Sequence, residues 1–162
     1  MSAPKLTEVF TASDLALFRA LIGHGVRFML VGQSAAVLQG SRGSTEDVDV
    51  WFEDVSDTRI AEAITSVGGY WASGSFGLMP PQLGGGGISD FFDVVVHCDG
   101  LRRFEEEYAN AREVDLGGVR VPVLPLERIL ASKRAAGRPK DLAQIPALEA
   151  AILVSRDRES ES

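Results

Sequence analysis

An α/β fold is predicted for this chain on three observations. Apolar, β-branched segments at residues 26–31, 47–53 and 90–97 read as strands. Amphipathic segments at about 14–24 and 57–67 alternate with them at helical spacing. Glycines and Ser–Asp pairs punctuate the boundaries between them.

Taken in order, Ser13 is placed to cap a helix running from Asp14 to about His24, with Leu15, Phe18, Leu21 and Ile22 as its apolar stripe. Gly25 ends it, and the strand at 26–31 runs directly into Gly32 and a short helix at 33–39. The strand at 47–53 follows. Ser56 and Asp57 then cap a helix with Ile60, Ala61, Ile64 and Val67 inward, ending at Gly68–Gly69. Residues 74–87, with Pro80–Pro81 and four consecutive glycines from Gly84, read as loop: either a flexible hairpin tip or a mobile substrate-facing segment. The strand at 90–97 is next, then a charged helix at about 101–111. Residues 113–116 and 119–124 form a strand pair around Gly117–Gly118. Helices at about 126–136 and 139–153 close the domain, with Pro139 suited to a first helical turn. Residues 1–154 are expected to form one domain and 155–162 a polar, disordered tail.

The chemistry concentrates in Thr45-Glu46-Asp47-Val48-Asp49-Val50-Trp51. Positions i and i+2 of a strand share a face, so Asp47 and Asp49 point one way while Val48 and Val50 point into a core. Paired like charges raise each other's pKa unless something positive sits between them, and hard divalent cations prefer carboxylate oxygens. Asp93, inside the apolar strand at 90–97, supplies a third carboxylate where an unpaired charge is costly. Three such groups suit two Mg²⁺ ions about 3.5–4 Å apart, the arrangement of phosphoryl and nucleotidyl transfer. Upstream, strand, Gly32 and helix N-terminus form an anion pocket in which Gly32 admits a phosphate close to the backbone and the Ser34 hydroxyl donates to it.

These residues resemble a family. Phe28-Met-Leu-Val-Gly-Gln-Ser-Ala-Ala-Val-Leu-Gln-Gly40, followed by Arg42, Thr45 and Asp47-Val-Asp-Val50, is similar to the polymerase-β-like nucleotidyltransferase superfamily, and to its small bacterial branch linked to toxin–antitoxin and abortive-infection systems. Lys133-x₄-Arg138-x-Lys140-Asp141 is similar to that branch's C-terminal helix–turn–helix, and the resemblance covers roughly residues 24–150. One departure is the turn: the family usually has Gly-Gly or Gly-Ser where this chain has Gly32-Gln33, so Ser34 would take the hydroxyl role one position later. The resemblance implies a mixed, mostly antiparallel sheet flanked by helices, with C-terminal helices. It implies a nucleotidyltransferase moving an NMP from an NTP to an acceptor hydroxyl, with Mg²⁺ (or Mn²⁺) as cofactor. Asp47, Asp49 and Asp93 would be catalytic and bind metal, while Gly32, Gln33, Ser34, Arg42, Thr45, Lys133, Arg138 and Lys140 would hold the nucleotide. The acceptor would be a partner protein, a tRNA or a small molecule, with a cognate toxin or antitoxin as possible partner. A non-catalytic, antitoxin-like interaction module retaining the fold is the alternative.

Composition narrows the choice. The chain has 162 residues, enough for one domain with a proper core. A lone cysteine, Cys98, excludes an internal disulfide and fits the cytoplasm. No leader and no membrane-spanning apolar run is read. A net charge of −7 excludes general nucleic-acid binding, although Arg128, Lys133, Arg134, Arg138 and Lys140 gather positive charge near the C-terminus. A plainer role stands beside each site residue. For Asp47 and Asp49 it is a solvent-facing position on an edge strand, for Arg42 a pairing with Glu46, for Thr45 a bond to local backbone, and for Lys133 a solvated face paired to Glu127 and Asp141. His24 and His97 lack metal-ligand spacing, Cys98 reads as buried, and Trp51 and Phe52 as core. Trp71, near the glycine-rich loop, is a candidate to stack a base.

Overall fold

The computed structural model describes residues 9–74 and 79–161. Its elements are α1 (Ala12–Gly23), β1 (Phe28–Val31), α2 (Gly32–Leu38), β2 (Val48–Phe52), α3 (Thr58–Ser66), β3 (Tyr70–Ala72), β4 (Gln82–Gly84), β5 (Phe92–Val95), α4 (Phe104–Tyr108), β6 (Arg112–Leu116), β7 (Val119–Val123), α5 (Leu126–Ala136) and α6 (Pro139–Glu161). Five strands form one sheet in the order β5-β2-β1-β7-β6, and β3 and β4 form a separate ribbon. Pairing is antiparallel at β1/β2, β6/β7 and β3/β4, and parallel at β1/β7 and β2/β5. The mixed, mostly antiparallel α/β architecture expected from the resemblance is the one observed.

Strand β1 lies at the centre of the sheet, and all four of its residues are buried. The antiparallel register Phe28↔Phe52 and Leu30↔Val50 puts these four side chains on one face. There Phe28 stacks on Phe18 of α1, and α3 adds the fully buried Ile60 and Ile64. The alternate residues Met29, Val31, Asp49 and Trp51 therefore face the other side. On that side Trp51 meets Phe104 edge to face, and Ile129 and Leu130 of α5 are buried.

Several boundaries differ from expectation, among them the charged helix read at about 101–111, which spans only Phe104–Tyr108. Helix α1 starts at Ala12, capped by Thr11 rather than Ser13: the Thr11 hydroxyl accepts from the Asp14 amide and the Asp14 carboxylate accepts from the Thr11 amide. The fully buried Asp14 also accepts from the amide and hydroxyl of Ser89, tying the end of the glycine run to α1. Gly84 closes the β3–β4 ribbon, and Gly86, at φ 64°, packs so closely on Gly68 that an added Cβ would lie 2.6 Å from its carbonyl carbon. Helix α6 continues unbroken through the residues read as a frayed tail, and Arg112 pairs with Glu159 at 3.0 Å. Part of the loop read at 74–87, residues 75–78, lies outside the described residues. Among the described residues no helix is long and apolar enough to cross a membrane.

Candidate active site

Because Val48 and Val50 are committed to the α1/α3 face, alternation turns Asp49 to the opposite face. Parallel pairing sets Asp93 directly beside it, between the buried Phe92 and Val94. Asp49 is half-buried, whereas Asp93 and Asp47 are exposed. Burial pushes the Asp49 carboxyl up to about 6, reinforced by the charge of Asp93 and, further down, Asp47; Lys133 and Lys140 partly offset the rise. Burial and the Asp47 charge raise Asp93 as well. Among the described residues, neither the Asp49 nor the Asp93 side chain has a hydrogen-bond or ion-pair partner. Nor does any group of three His, Cys, Asp or Glu side chains among them sit close enough together to hold a metal. The side-by-side pair itself fits a hard divalent cation, since Mg²⁺ is commonly held by one or two carboxylates with substrate phosphates and water completing its shell.

Gly32 forms the wall facing Asp49. Its φ is 69°, and a Cβ there would lie 2.5 Å from Asp49 Oδ2, so the carboxylate occupies the space a side chain would take. Gln33 follows in the first turn of α2; its Oε1 is buried without a partner, and its Nε2 lies against Gly43. Ser34 differs from expectation. Its side chain is buried, and its hydroxyl donates back to the Val31 carbonyl at 3.2 Å instead of facing a ligand. The Thr45 hydroxyl donates to the Asp47 carbonyl at 2.8 Å and accepts from its amide, the plainer of its two expected roles. Arg42 lines a different cavity, with Gln39, Ala151 and Arg158, and makes no ion pair with Glu46.

Gly32 and Asp49 open onto a cavity of about 210 Å³ between the sheet and the α5–α6 junction. Val31, Val95, Leu101, Leu124 and Ile129 give it an apolar wall, and Lys133, Arg138, Asp99 and Asp141 a charged one, with the Asp99 charge acting on Arg138. Both cations reach Asp141: Lys133 Nζ at 3.3 Å and Arg138 Nε at 2.6 Å. Lys140 is exposed and outside the lining, although its charge still acts on Asp49. The structure thus brings together Gly32, Asp49, Lys133 and Arg138, with Asp93 adjoining Asp49, and leaves Ser34 and Arg42 apart. The rest of the basic cluster is occupied elsewhere. Arg128 pairs with the buried Glu107 and Arg134 with Glu149.

The apolar wall and Asp141 were not singled out as site residues from sequence. Sequence marks Asp141 only as a motif position and as a partner of Lys133, a pairing the structure shows at 3.3 Å, and its i,i+3 spacing from Arg138 across a helix start signals the second contact. Cys98 lines the cavity too, but burial, with Asp49 next, pushes its thiol up to about 12 and keeps it protonated. His24 bonds the Ala20 carbonyl, and His97 sits 3.4 Å from Asp99 in solvent. Trp71 packs edge to face on Phe52, so it joins the core layer rather than a base platform.

No protein-family model matches the chain, and no curated protein matches it in sequence. Solved structures do match in fold. The crystal structure of ANT(2″)-Ia in complex with adenylyl-2″-tobramycin superposes with a TM-score of 0.53 at 14% identity, covering 89% of this chain and 95% of that one. The solution structure of ANT(2″)-Ia, described as an antibiotic-resistance factor, gives 0.56 at 14% identity over 98% and 96%. An antigenic nucleotidyltransferase-like protein from Paracoccidioides brasiliensis gives 0.52 at 18% identity, over 95% of this chain and 78% of that one. At these identities the likeness establishes the nucleotidyltransferase fold.

Proposed function

We propose that the chain is a nucleotidyltransferase that moves a nucleoside monophosphate from an NTP to an acceptor hydroxyl and releases pyrophosphate. The observation that carries this is the Asp49–Asp93 pair, without a hydrogen-bond or ion-pair partner among the described residues, whose Asp49 opens onto a cavity that Lys133 and Arg138 also line. The fold shared with ANT(2″)-Ia supports it.

Asp49 and Asp93 would hold Mg²⁺ or Mn²⁺, with the Asp47 charge acting on both; the metal would supply charge neutralisation of the triphosphate and a lowered pKa for the acceptor hydroxyl. The chain's own groups do the rest. Lys133 and Arg138 attract the polyphosphate and offset the charge that develops on the leaving pyrophosphate. Gly32 keeps the wall beside Asp49 clear. The exposed Asp93 orients the acceptor hydroxyl and takes its proton as the new P–O bond forms and the bond to pyrophosphate breaks. Val31, Val95 and Ile129 give the cavity an apolar surface beside the carboxylates. The acceptor is a small molecule, as in the ANT(2″)-Ia complex, a tRNA end, or a partner protein such as a cognate toxin; an intracellular setting follows from such partners.

One set of observations favours a second reading, an antitoxin-like binding module that keeps the fold without catalysis. Gln33 fills the turn, Ser34 is used internally, and Arg42 lies away from the cavity. Against it stands the Asp49–Asp93 repulsion, which a binding module has no reason to keep. Label transfer separates the two. Protein, Mg²⁺ and each α-labelled NTP are incubated in cell extract beside an Asp47→Ala/Asp49→Ala control. Carboxylate-dependent label is expected, and its sensitivity to protease, nuclease or solvent extraction names the acceptor class. No carboxylate-dependent transfer with any NTP would count against the enzyme and make the binding module the reading to pursue.

A further inference from the structure

We infer that Asp141 is a positioning residue for polyphosphate: it holds Lys133 and Arg138 together as a cationic pair at the wall of the carboxylate cavity. The inference rests on the nucleotidyltransferase reading.

Asp141 lies in the first turn of α6 and is 1% exposed. Its oxygens take three donors. Oδ1 accepts from Lys133 Nζ at 3.3 Å and Arg138 Nη2 at 3.4 Å, and Oδ2 accepts from Arg138 Nε at 2.6 Å. Burial pushes this carboxyl up, but the hydrogen bonds and charges of Arg138 and Lys133 outweigh it and keep Asp141 below the usual carboxylate range. Lys133 comes from the last turn of α5 and Arg138 from the residue before α6, so one carboxylate locks both sides of the α5–α6 junction.

The pair is not exhausted by this contact. A lysine ammonium has three donors and a guanidinium five; Asp141 uses one of the former and two of the latter. The remaining donors lie on side chains that line the same cavity as Gly32 and Asp49, and the charge of Lys133 already acts on Asp49. Two cations so placed repel each other, and both stems are flexible. Without the carboxylate between them they would diverge. Buried ion pairs contribute little net stability compared with apolar packing, so closing a helical turn gives no need for this trio. A polyanion spanning from the Asp49–Asp93 pair to the α5–α6 junction does need it.

The test uses the full chain, Mg²⁺ and fluorescent non-hydrolysable NTP and NMP analogues. Asp141→Asn is expected to raise the Kd for the NTP analogue about tenfold, the size of one lost charge-assisted contact, while changing the NMP analogue much less. In a Lys133→Gln/Arg138→Gln background, Asp141→Asn should add nothing further. Equal losses for both analogues, or a full additional loss in that background, would show a merely structural role and overturn the inference alone. If Asp141→Asn does not fold, Arg138→Gln decides, since Arg138 is an exposed surface side chain: a wild-type Kd for the NTP analogue overturns the inference. A wild-type protein that binds no NTP analogue with Mg²⁺ overturns the nucleotidyltransferase reading, and this inference with it.

Discussion

Asp49 sits beside Asp93 across the parallel β2–β5 ladder, at the spacing of neighbouring strands, about 4.8 Å. Two carboxylates at that separation on a half-buried sheet face work against each other's ionisation. With a folded value of about 6 against 3.8 for the free group, folded Asp49 holds its proton more tightly than the unfolded chain does. The stability this proton confers is complete below the unfolded value and is lost as pH rises through the folded one.

Asp49→Asn should therefore stabilise the metal-free protein at neutral pH, by about 1–2 kcal/mol once the partial exposure of the site is allowed for. The advantage should shrink to nothing as pH falls toward the unfolded value, where wild-type Asp49 is itself neutral. Thermal melts of both proteins at about pH 4 and about pH 8 measure this. A variant less stable than wild type at the higher pH would show that Asp49 has a favourable partner.

Divalent cations should act in the opposite sense. Mg²⁺ or Mn²⁺ binds the ionised carboxylates, so added metal should raise the wild-type melting temperature more at about pH 8 than at about pH 5, where protons compete. Asp49→Asn and Asp93→Asn should lose this response, and chelation should reverse it. Equal metal-induced shifts in all three proteins would place the cation elsewhere.

Gly32→Ala asks for two things the site does not have: a left-handed backbone for an L-residue and room beside Asp49 Oδ2. A cost of about 1–3 kcal/mol is expected from the strained backbone alone. Transfer activity should fall with it, because the new methyl group displaces the carboxylate that the metal needs. The comparison that isolates the second effect is Gly40→Ala, also at positive φ but with open space for the Cβ. It should lose stability without a matching loss in metal response.

The central layer was legible because its signals are local. Period-2 alternation at Val48, Asp49 and Val50 fixed which face the carboxylate takes, and the apolar run at 26–31 marked a strand, whose residues 28–31 the structure buries throughout. What escaped depends on partners remote in sequence. The ribbon of β3 and β4 has three residues in each strand, one a glycine, so no alternation can declare it. Asp14 reads as a first-turn carboxylate, but its contact with Ser89 is set by tertiary packing. Ser34 offered a hydroxyl at the expected place, yet a serine in a first helical turn can bond back to backbone three residues earlier, and this one does. Arg42 follows a helix end whose direction only the packed structure defines.

Ser34→Ala tests that reassignment directly. If the hydroxyl serves only Val31, its loss costs about 1 kcal/mol of stability and leaves the KM for NTP unchanged. A clear rise in KM without destabilisation would return Ser34 to the phosphate pocket.

Arg128 separates fold from chemistry within the basic C-terminal segment. Its guanidinium donates to both oxygens of Glu107, at 2.8 and 2.9 Å, and Glu107 is buried and also accepts from the Arg102 amide. Removing the arginine strands a buried carboxylate, so Arg128→Ala should cost about 3 kcal/mol, whereas the double variant Arg128→Met/Glu107→Leu should regain most of that. Lys133→Gln should show the reverse pattern. Its loss falls on nucleotide affinity, because the Lys133 charge bears on Asp49 and its spare donors face the cavity. Denaturant titrations read the first effect and nucleotide Kd the second. If Arg128→Ala weakened nucleotide binding as much as Lys133→Gln at temperatures where both are folded, the basic cluster would be acting as one diffuse field rather than through the Lys133–Asp141–Arg138 contact.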